Sequence, residues 1–188
     1  IIGRDHRVVN NYFEGLRGDG ERAGVCWMNG IPDGPLNGYG PVRNATVSHN
    51  TFVDCKVSME FCVTPSKKNT VVPKDCCVSH NAFLPGKWEL FRVHGQPESF
   101  AWSGNKYQEG KTRGADLVDF ERVSISLVRA SDGLLRPEET GLLQTKSNSG
   151  VTHDIDGHAR TASIAGCDDP GNESVDRRWA ATCGPSWR

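Results

Sequence analysis

The chain has 188 residues, of which 22 are basic and 23 are acidic, so its formal net charge is -1. This length suits one domain with a substantial hydrophobic core, and the balanced charge gives no electrostatic basis for nucleic acid as a partner. No apolar run reaches the length of a membrane span, so we expect no membrane partner either.

One short pattern is written four times along the chain. The copies read VVNNYF, VSHNTF, VSHNAF and WSGNKY, and their asparagines lie at positions 11, 50, 81 and 105. The asparagines are 39, 31 and 24 residues apart. Repetition at such spacing is typical of a solenoid, and the unequal intervals favour coils whose loops differ in length. The alternative is an Asn-rich β-sandwich in which the pattern recurs by chance.

Each copy is interpreted as a short strand that turns a corner. The Val and Phe side chains should point inward, and the Asn should take the left-handed backbone conformation and bond to nearby backbone. Stacked coils would align the asparagines into a ladder of amide hydrogen bonds and stack the phenyl rings inside. The pattern therefore predicts an all-β fold, a partial right-handed parallel β-helix with inserted loops over residues 1–150.

The remaining segments are predicted from composition and alternation. The Gly- and Pro-rich stretch NGIPDGPLNGYGP, residues 29–41, is predicted to be an inserted loop. VSISLVRAS, residues 123–131, alternates like one more strand, and RPEETGLLQTKSNSG after it is loop-like. Residues 151–188, which contain DIDGHAR and GPSWR, are predicted to be a covering segment of the same domain that hides the open end of the solenoid.

The cysteines leave two interpretations open. Their spacing contains no CxxC pair, which argues against a zinc knuckle. They are either buried thiols in a core of small residues or the partners of one or two disulfides in an exported protein. Adjacent Cys76 and Cys77 should point to opposite faces of a strand. The seven cysteines are Cys26, Cys55, Cys62, Cys76, Cys77, Cys167 and Cys183.

Two groups of residues suggest metal ligands without predicting a metal site. His49 and His80 precede the ladder Asn in two copies and should stack, either as a metal pair or, as we expect, as solvent-facing neighbours. The acidic group near the end of the chain lacks the ligand spacing of an EF-hand loop. Capping turns and surface charge explain it better, so no metal ligand is predicted. Its members are Asp154, Asp156, Asp168 and Asp169.

Several stretches are similar to one known family. GRDHRVVNNYFEGLRG, MNGIPDGPLNGY, VRNATVSHNTFVDC and the closing DIDGHAR with GPSW resemble polysaccharide lyase family 6, which contains alginate lyases and chondroitinase B. The resemblance covers most of the chain and is weakest between residues 87 and 149. It implies β-elimination on a uronate polymer, in which a cation neutralises the carboxylate, a base removes the C5 proton and an acid protonates the leaving oxygen.

The resemblance assigns no catalytic residue to this chain. In the family, a calcium ion held by Asn and Glu side chains, a Lys and an Arg are assigned the three tasks, and no residue here matches them. The catalytic residues are therefore unknown, and calcium is implied as a cofactor with ligands outside this sequence. We interpret the chain as the C-terminal part of the catalytic β-helix of a longer lyase. On its own, this chain should have no catalytic activity.

Substrate-binding residues can be carried over by position. Arg22 matches a basic position that contacts polymer carboxylates in family members, and Lys67 and Lys68 match a basic pair that faces the cleft. Solvated surface cations are the alternative for all three. Tyr39 could stack on a sugar ring or anchor its loop, and the residue before it is Gly where the family carries a bulky polar side chain. His6 is a candidate substrate contact that could instead bond within its own turn.

The predicted function is that of a polysaccharide lyase on an anionic polysaccharide, alginate in particular, secreted or periplasmic. Dermatan-type glycosaminoglycan is a second substrate, although sulfate recognition should require more basic residues than these. A β-helix that binds an anionic polysaccharide without cleaving it is the alternative from another functional class.

Overall fold

A computed structural model describes residues 1–18, 23–35, 38–84, 87–114, 116, 119–139, 141–147 and 149–169. Within them it contains short strands and a single 3-10 turn at Gly141–Leu143. The strands are β1 Arg7–Val9, β2 Tyr12–Glu14, β3 Val25–Met28, β4 Thr46–Ser48, β5 Thr51–Val53, β6 Val57–Val63, β7 Cys77–Ser79, β8 Ala82–Leu84, β9 Glu89–Val93, β10 Ala101–Ser103, β11 Asn105–Tyr107, β12 Lys111–Arg113, β13 Phe120–Arg122, β14 Leu127–Arg129 and β15 Leu135–Pro137.

The strands stack into three parallel sheets that run along one solenoid. The first sheet has the order β1-β4-β7-β10, the second β13-β11-β8-β5-β2 and the third β12-β9-β6-β3. All pairs within these sheets are parallel, and each successive coil adds one strand to each sheet through the fourth coil. The predicted right-handed parallel β-helix is confirmed, with loops of unequal length between the strands.

The asparagine ladder is present as predicted. Asn50 is fully buried, and both its backbone N and its Nδ2 donate to Oδ1 of Asn81 at 3.0 Å. The same pair of bonds links Asn11 to Asn50 and Asn81 to Asn105. Each side chain thus satisfies buried polar groups of the coils above and below it. The ladder stops at the fifth coil, where Phe120 takes the place of the Asn in the register.

The backbone of the corner differs from the prediction. The left-handed residue is the one before each ladder Asn, whereas the Asn itself is not left-handed. The reason is that the Asn must point its amide along the stack, so the preceding residue makes the sharp change in direction. That corner residue is Asn10, His49, His80 and Gly104, with φ of 56°, 53°, 54° and 62°.

The solenoid interior is filled by the predicted apolar columns. Phe13 and Phe52 stack with ring centroids 4.7 Å apart, and Phe52 stacks on Phe83 at 5.0 Å. Val47 and Val78 of the first sheet are fully buried in the same core. Because aromatic rings at the same position of successive coils are held at the spacing of the strands, the rings meet face to face.

A second core lies outside the solenoid, on the outer face of the second sheet. Val53 and Leu84 point outward there, since their neighbours in β5 and β8 fill the interior, and they pack against Leu143 and Ile164. Cys167 N donates to Thr51 Oγ1 at 2.9 Å. The described part of the covering segment therefore runs along the side of the coils, whereas we had predicted that it hides an open end.

The strand predicted at residues 123–131 is wrong in its extent. Only Leu127–Arg129 forms a strand, and it pairs antiparallel with β15 outside the three sheets. Val123 and Ile125 are nevertheless buried while the residues between and after them are exposed. The alternation in the sequence is therefore real, but it reflects an extended segment whose side chains reach the second core.

None of the six described cysteines forms a disulfide, which favours the buried-thiol interpretation; Cys183 lies outside the described residues. Cys76 belongs to the core and Cys77 is partly exposed, so the pair points to opposite faces as predicted. Burial raises the pKa of Cys167 to about 12 and that of Cys62 to about 11. These two thiols should be poorly reactive, because the thiolate is the nucleophile.

The histidine pair stacks, but it does not face solvent. The rings of His49 and His80 are 4.9 Å apart and 6° from parallel, and both residues are 1% exposed. His80 Nε2 contacts Ser147 O at 2.8 Å, and Ser149 Oγ lies 3.2 Å from His49 Nε2. The prediction of solvent-facing neighbours was wrong because the segment around residues 145–150 crosses this corner of the solenoid.

This pair predicts a loss of stability in acid. Burial above all, with the charges of Arg160 and His80, lowers the pKa of His49 from 6.5 to about 3. Between pH 6.5 and 3, His49 is therefore protonated in the unfolded chain but not in the folded chain. The free energy of unfolding decreases as the pH is lowered through that window. We expect a slope of up to about 1.4 kcal/mol per pH unit from His49 in urea titrations.

The matched variant is His49→Asn, because Asn10 adopts the same backbone conformation in the first coil. Its stability should vary less with pH over that window than that of the original chain. An unchanged pH dependence would show that His49 is not the group that takes up the proton.

Candidate functional site

Two loops that carry predicted site residues leave the same edge of the third sheet. Residues 29–41 follow β3, and residues 64–71 follow β6. Gly30 and Val71 exchange both backbone hydrogen bonds, at 2.7 and 3.0 Å. Asn69 Nδ2 donates to Asn29 O at 2.8 Å, and Asn29 Nδ2 donates to Thr64 Oγ1 at 2.8 Å. The two loops are therefore held together as one structural unit.

The basic pair lies exposed at the tip of the second loop. Lys67 and Lys68 are both exposed and occupy a turn. The turn is fixed by Ser66 Oγ, which donates to Asn69 Oδ1 at 2.6 Å, and by the buried side chain of Asn69. Two ammonium groups are thus presented to solvent on a backbone anchored to the neighbouring loop, an arrangement suited to an anionic ligand.

Tyr39 belongs to the first loop of this unit, and His6 lies in a turn tied to that loop. Tyr39 is half-buried, and its carbonyl accepts a hydrogen bond from Ile31 N at 2.7 Å, which closes the loop. His6 is exposed, and its Nε2 lies 2.6 Å from Ile2 O in its own turn. That turn is tied to the loop of Tyr39, because Gly3 N donates to Gly40 O at 3.0 Å. Arg22 lies outside the described residues.

The structure adds a basic column that sequence reasoning missed. Arg4, Arg43 and Lys74 are aligned by successive bridges between coils, and Glu98 follows in the same register. Arg43 Nη1 donates to the carbonyls of Val42 and Val72, whereas Lys74 Nζ is 3.6 Å from the Glu98 carboxylate. The signal was available, since each of the three cations lies seven residues before a ladder Asn.

The acidic turn near the end of the chain serves an ion-pair network. Asp154, Asp156 and His158 hold ligand atoms within 4.8 Å of one another. However, Arg136 Nη1 lies 2.9 Å from Asp156 and 2.8 Å from Asp168, and its side chain is 3% exposed. Within the group of Asp154, Asp156 and His158, Asp156 is thus already paired with the guanidinium. We assign this turn to the ion-pair network and derive no catalytic step through calcium, whose ligands the family resemblance places outside this sequence.

No helix among the described residues is long and apolar enough to cross a membrane.

Comparisons with known proteins give one family and one fold. Residues 1–83 match the family model of chondroitinase B. A search of curated proteins gave no match. A solved structure of the PL6 family alginate lyase AlyGC is similar to this chain, with a TM-score of 0.70 and 23% sequence identity. A structure of an arginine-to-alanine mutant of AlyGC is similar with a TM-score of 0.68 and 23% sequence identity. In both cases the alignment covers 98% of this chain and 23% of the other, so the chain spans under a quarter of these structures.

The sequence match and the fold agree with the resemblance of the repeat segments, and the match ends at residue 83, just before the stretch where that resemblance is weakest. Residues 1–83 are thus similar to chondroitinase B, and the fold is similar to that of the PL6 alginate lyase structures.

Proposed function

We propose that this chain is part of a polysaccharide lyase that cleaves a uronate polymer, alginate, by β-elimination. The observation that carries the proposal is the joined pair of loops at the edge of the third sheet, of which one carries Tyr39 and the other carries Lys67 and Lys68. Its support in the comparisons is the match of residues 1–83 to the chondroitinase B model. In this proposal the described residues hold and orient the polymer, and no proton-transfer step is assigned to them.

Charge accounting favours alginate over a sulfated glycosaminoglycan. Lys74 is paired with Glu98, and Arg43 is bound to backbone carbonyls, so these two cations are already engaged. Lys67 and Lys68 remain exposed. Few available cations suit a polymer with one carboxylate per sugar unit better than a polymer that also carries sulfate groups. A secreted or periplasmic location, where such a polymer is met, and calcium as the cofactor of the whole enzyme belong to the same proposal.

The test of cleavage is the ultraviolet absorbance of unsaturated uronate when the chain is mixed with alginate and calcium. Absorbance that rises with time would establish lyase chemistry, and a parallel reaction with dermatan sulfate would rank the two substrates. A flat trace from folded protein that still binds alginate would favour either a portion of the enzyme without its catalytic residues or the second candidate, a non-catalytic binding β-helix. That candidate is supported by the nature of the carried-over residues, which are all candidates for binding and none for catalysis.

The double variant Lys67→Ala/Lys68→Ala should weaken binding to alginate about tenfold or more at low salt, because it removes two exposed cations from an anchored turn. Calorimetric titration with alginate oligosaccharides measures this loss. Folding should be unaffected, since both side chains are exposed. Lys111→Ala is a control on an exposed lysine at the start of β12. Equal affinities of the double variant and the original chain would remove this loop from the binding surface.

A further inference from the structure

The outer face of the third sheet carries a row of charged residues that the sequence patterns did not reveal. Met59, Phe61 and Phe91 fill the solenoid core, so the residues between them point outward. Glu60 is in register with Arg92, and Arg92 with Arg113.

Glu60 is a buried carboxylate on this outer face. Its side chain is 2% exposed, and its Oε1 lies 2.8 Å from His94 Nε2 and 3.4 Å from Arg92 Nη1. Burying a carboxylate is costly unless it is paired and hydrogen-bonded. Here the side chains of Arg92 and His94 provide the partners of the Glu60 carboxylate. Glu60 therefore fixes the orientation of the His94 ring, whose Nδ1 bonds to no described residue.

A second carboxylate continues the row. Glu89 lies 2.7 Å from Arg92 Nη2 and also pairs with Arg113. The order is then Arg113, Glu89, Arg92, Glu60 and His94, in which acidic and basic groups alternate. The three inner side chains are at most 21% exposed, whereas Arg113 and His94 at the two ends are 68% and 44% exposed. Fixed inner groups that hold exposed donors are the arrangement of a preorganised binding site.

The row adjoins the loop of Lys67 and Lys68. His94 N donates to Phe61 O at 3.0 Å, so His94 leaves the third sheet at the edge from which that loop also leaves. Gly95 lies against Cys62, the residue before the end of β6. Along the solenoid axis, His94 thus lies one coil beyond the loop of Lys67 and Lys68, and Arg113 lies two coils beyond it.

We propose that Arg113 and His94 form a subsite for a further carboxylated sugar unit of the polymer, with Arg92, Glu60 and Glu89 as positioning residues. This inference rests on the proposed function. Arg113 pairs with Glu89 through Nη2, and its guanidinium, on a side chain that is 68% exposed, has further N–H groups for a sugar carboxylate. His94 supplies a ring nitrogen for a carboxylate or a hydroxyl group. The inner carboxylates hold both donors in place, so little side-chain entropy is lost when the sugar binds.

The test compares Arg113→Ala, His94→Ala and Glu60→Gln with the original chain in calorimetric titrations against alginate oligosaccharides of increasing length. Arg113→Ala and His94→Ala should each weaken binding of the longer oligosaccharides about tenfold, the loss of one hydrogen bond to a charged group. The same variants should change the affinity less for the shortest oligosaccharide that still binds through Lys67 and Lys68. Arg129→Ala is the matched control, an exposed arginine paired with Glu14 on the outer side of the second sheet.

The outcomes separate the subsite from the function. Longer oligosaccharides that bind Arg113→Ala and His94→Ala as tightly as the original chain, while Lys67→Ala/Lys68→Ala binds weakly, overturn the subsite and leave the function standing. A folded original chain that binds no alginate overturns both. Glu60→Gln removes a buried charge but keeps a hydrogen-bond acceptor, and its thermal melting is measured first to establish that it folds. If it does not fold, the titrations of Arg113→Ala and His94→Ala decide the question.

Discussion

Replacing Asn81 by alanine should lower the free energy of unfolding by about 3–5 kcal/mol. The side chain is fully buried, accepts from N and Nδ2 of Asn50, and donates to Val47 O and to Asn105 Oδ1, each near 3.0 Å. Alanine leaves Asn50 N and Val47 O without this partner, and an unsatisfied buried polar group costs about 1–3 kcal/mol. Asn105 Oδ1 keeps the bond from the backbone N of residue 81, and Asn50 Nδ2 keeps its bonds to Val8 O and Ser48 O. Urea denaturation followed by circular dichroism measures the loss.

The control is Asn11→Ala, at the first rung of the ladder. Its side chain donates to Asn50 Oδ1 and Val9 O, and Asn50 Oδ1 keeps the bond from the Asn11 backbone after truncation. The loss should therefore be near 1 kcal/mol. Similar losses for the two variants would contradict this prediction. They would mean that an Asn bonded to the coils on both sides stabilises the fold no more than an Asn bonded to one.

Arg136→Ala should be the most damaging change where β15 meets the covering segment, with a loss of about 3–5 kcal/mol. Arg136 is 3% exposed and pairs with Asp132, Asp156 and Asp168. Removing one partner of a buried ion pair leaves uncompensated charge in a low dielectric, which costs this much in measured cases. Burial raises the pKa of Asp168, whereas its bond to Arg136 lowers it, so without Arg136 this carboxyl should bind a proton at a higher pH. The difference in stability between the variant and the original chain should therefore shrink when the pH is lowered to about 4.

Arg129→Ala gives the comparison on the same hairpin of β14 and β15. Arg129 is 53% exposed and pairs with Glu14, and exposed pairs contribute about 0–1 kcal/mol. Thermal melting of both variants checks the contrast. A loss for Arg136→Ala as small as that for Arg129→Ala would mean that water or other groups replace the guanidinium.

The repeat was sufficient to predict the solenoid, its ladder and its stacked rings. Each of these features depends on residues at fixed positions within a coil, and the coils are written out in the sequence as Asn-x-Phe. The left-handed residue was misplaced by one position, from Asn50 to His49, because the pattern shows which residues recur but not which of two neighbours changes the chain direction.

Contacts between distant segments could not be predicted from the same pattern. The burial of His80 depends on Ser147, which is 67 residues away, and no local signal marks the segment that crosses this corner. The pairing of Glu60 with His94 depends on how the loops between β6 and β9 set the register of the third sheet. Loop lengths vary between coils, so residues on the third sheet show no constant spacing in the sequence.

The candidate site was predicted in part by the family resemblance. Tyr39, Lys67 and Lys68 lie on two loops that the structure joins, and His6 lies in a turn tied to the first of them. Their roles in substrate binding stay predictions, as does that of Arg22. The basic column of Arg4, Arg43 and Lys74 could have been predicted, because each cation lies seven residues before a ladder Asn. It was missed because only the positions next to each Asn were compared between the copies.

We propose that this β-helix holds a polyuronate at the edge of its third sheet. The most direct measurement is the affinity of the folded chain for alginate, for dermatan sulfate and for an uncharged polysaccharide across a series of salt concentrations. We expect binding to alginate that weakens as salt rises, weaker binding to dermatan sulfate and none to the uncharged polymer. A folded chain that binds no alginate at low salt, or that binds the uncharged polymer equally well, would contradict the account.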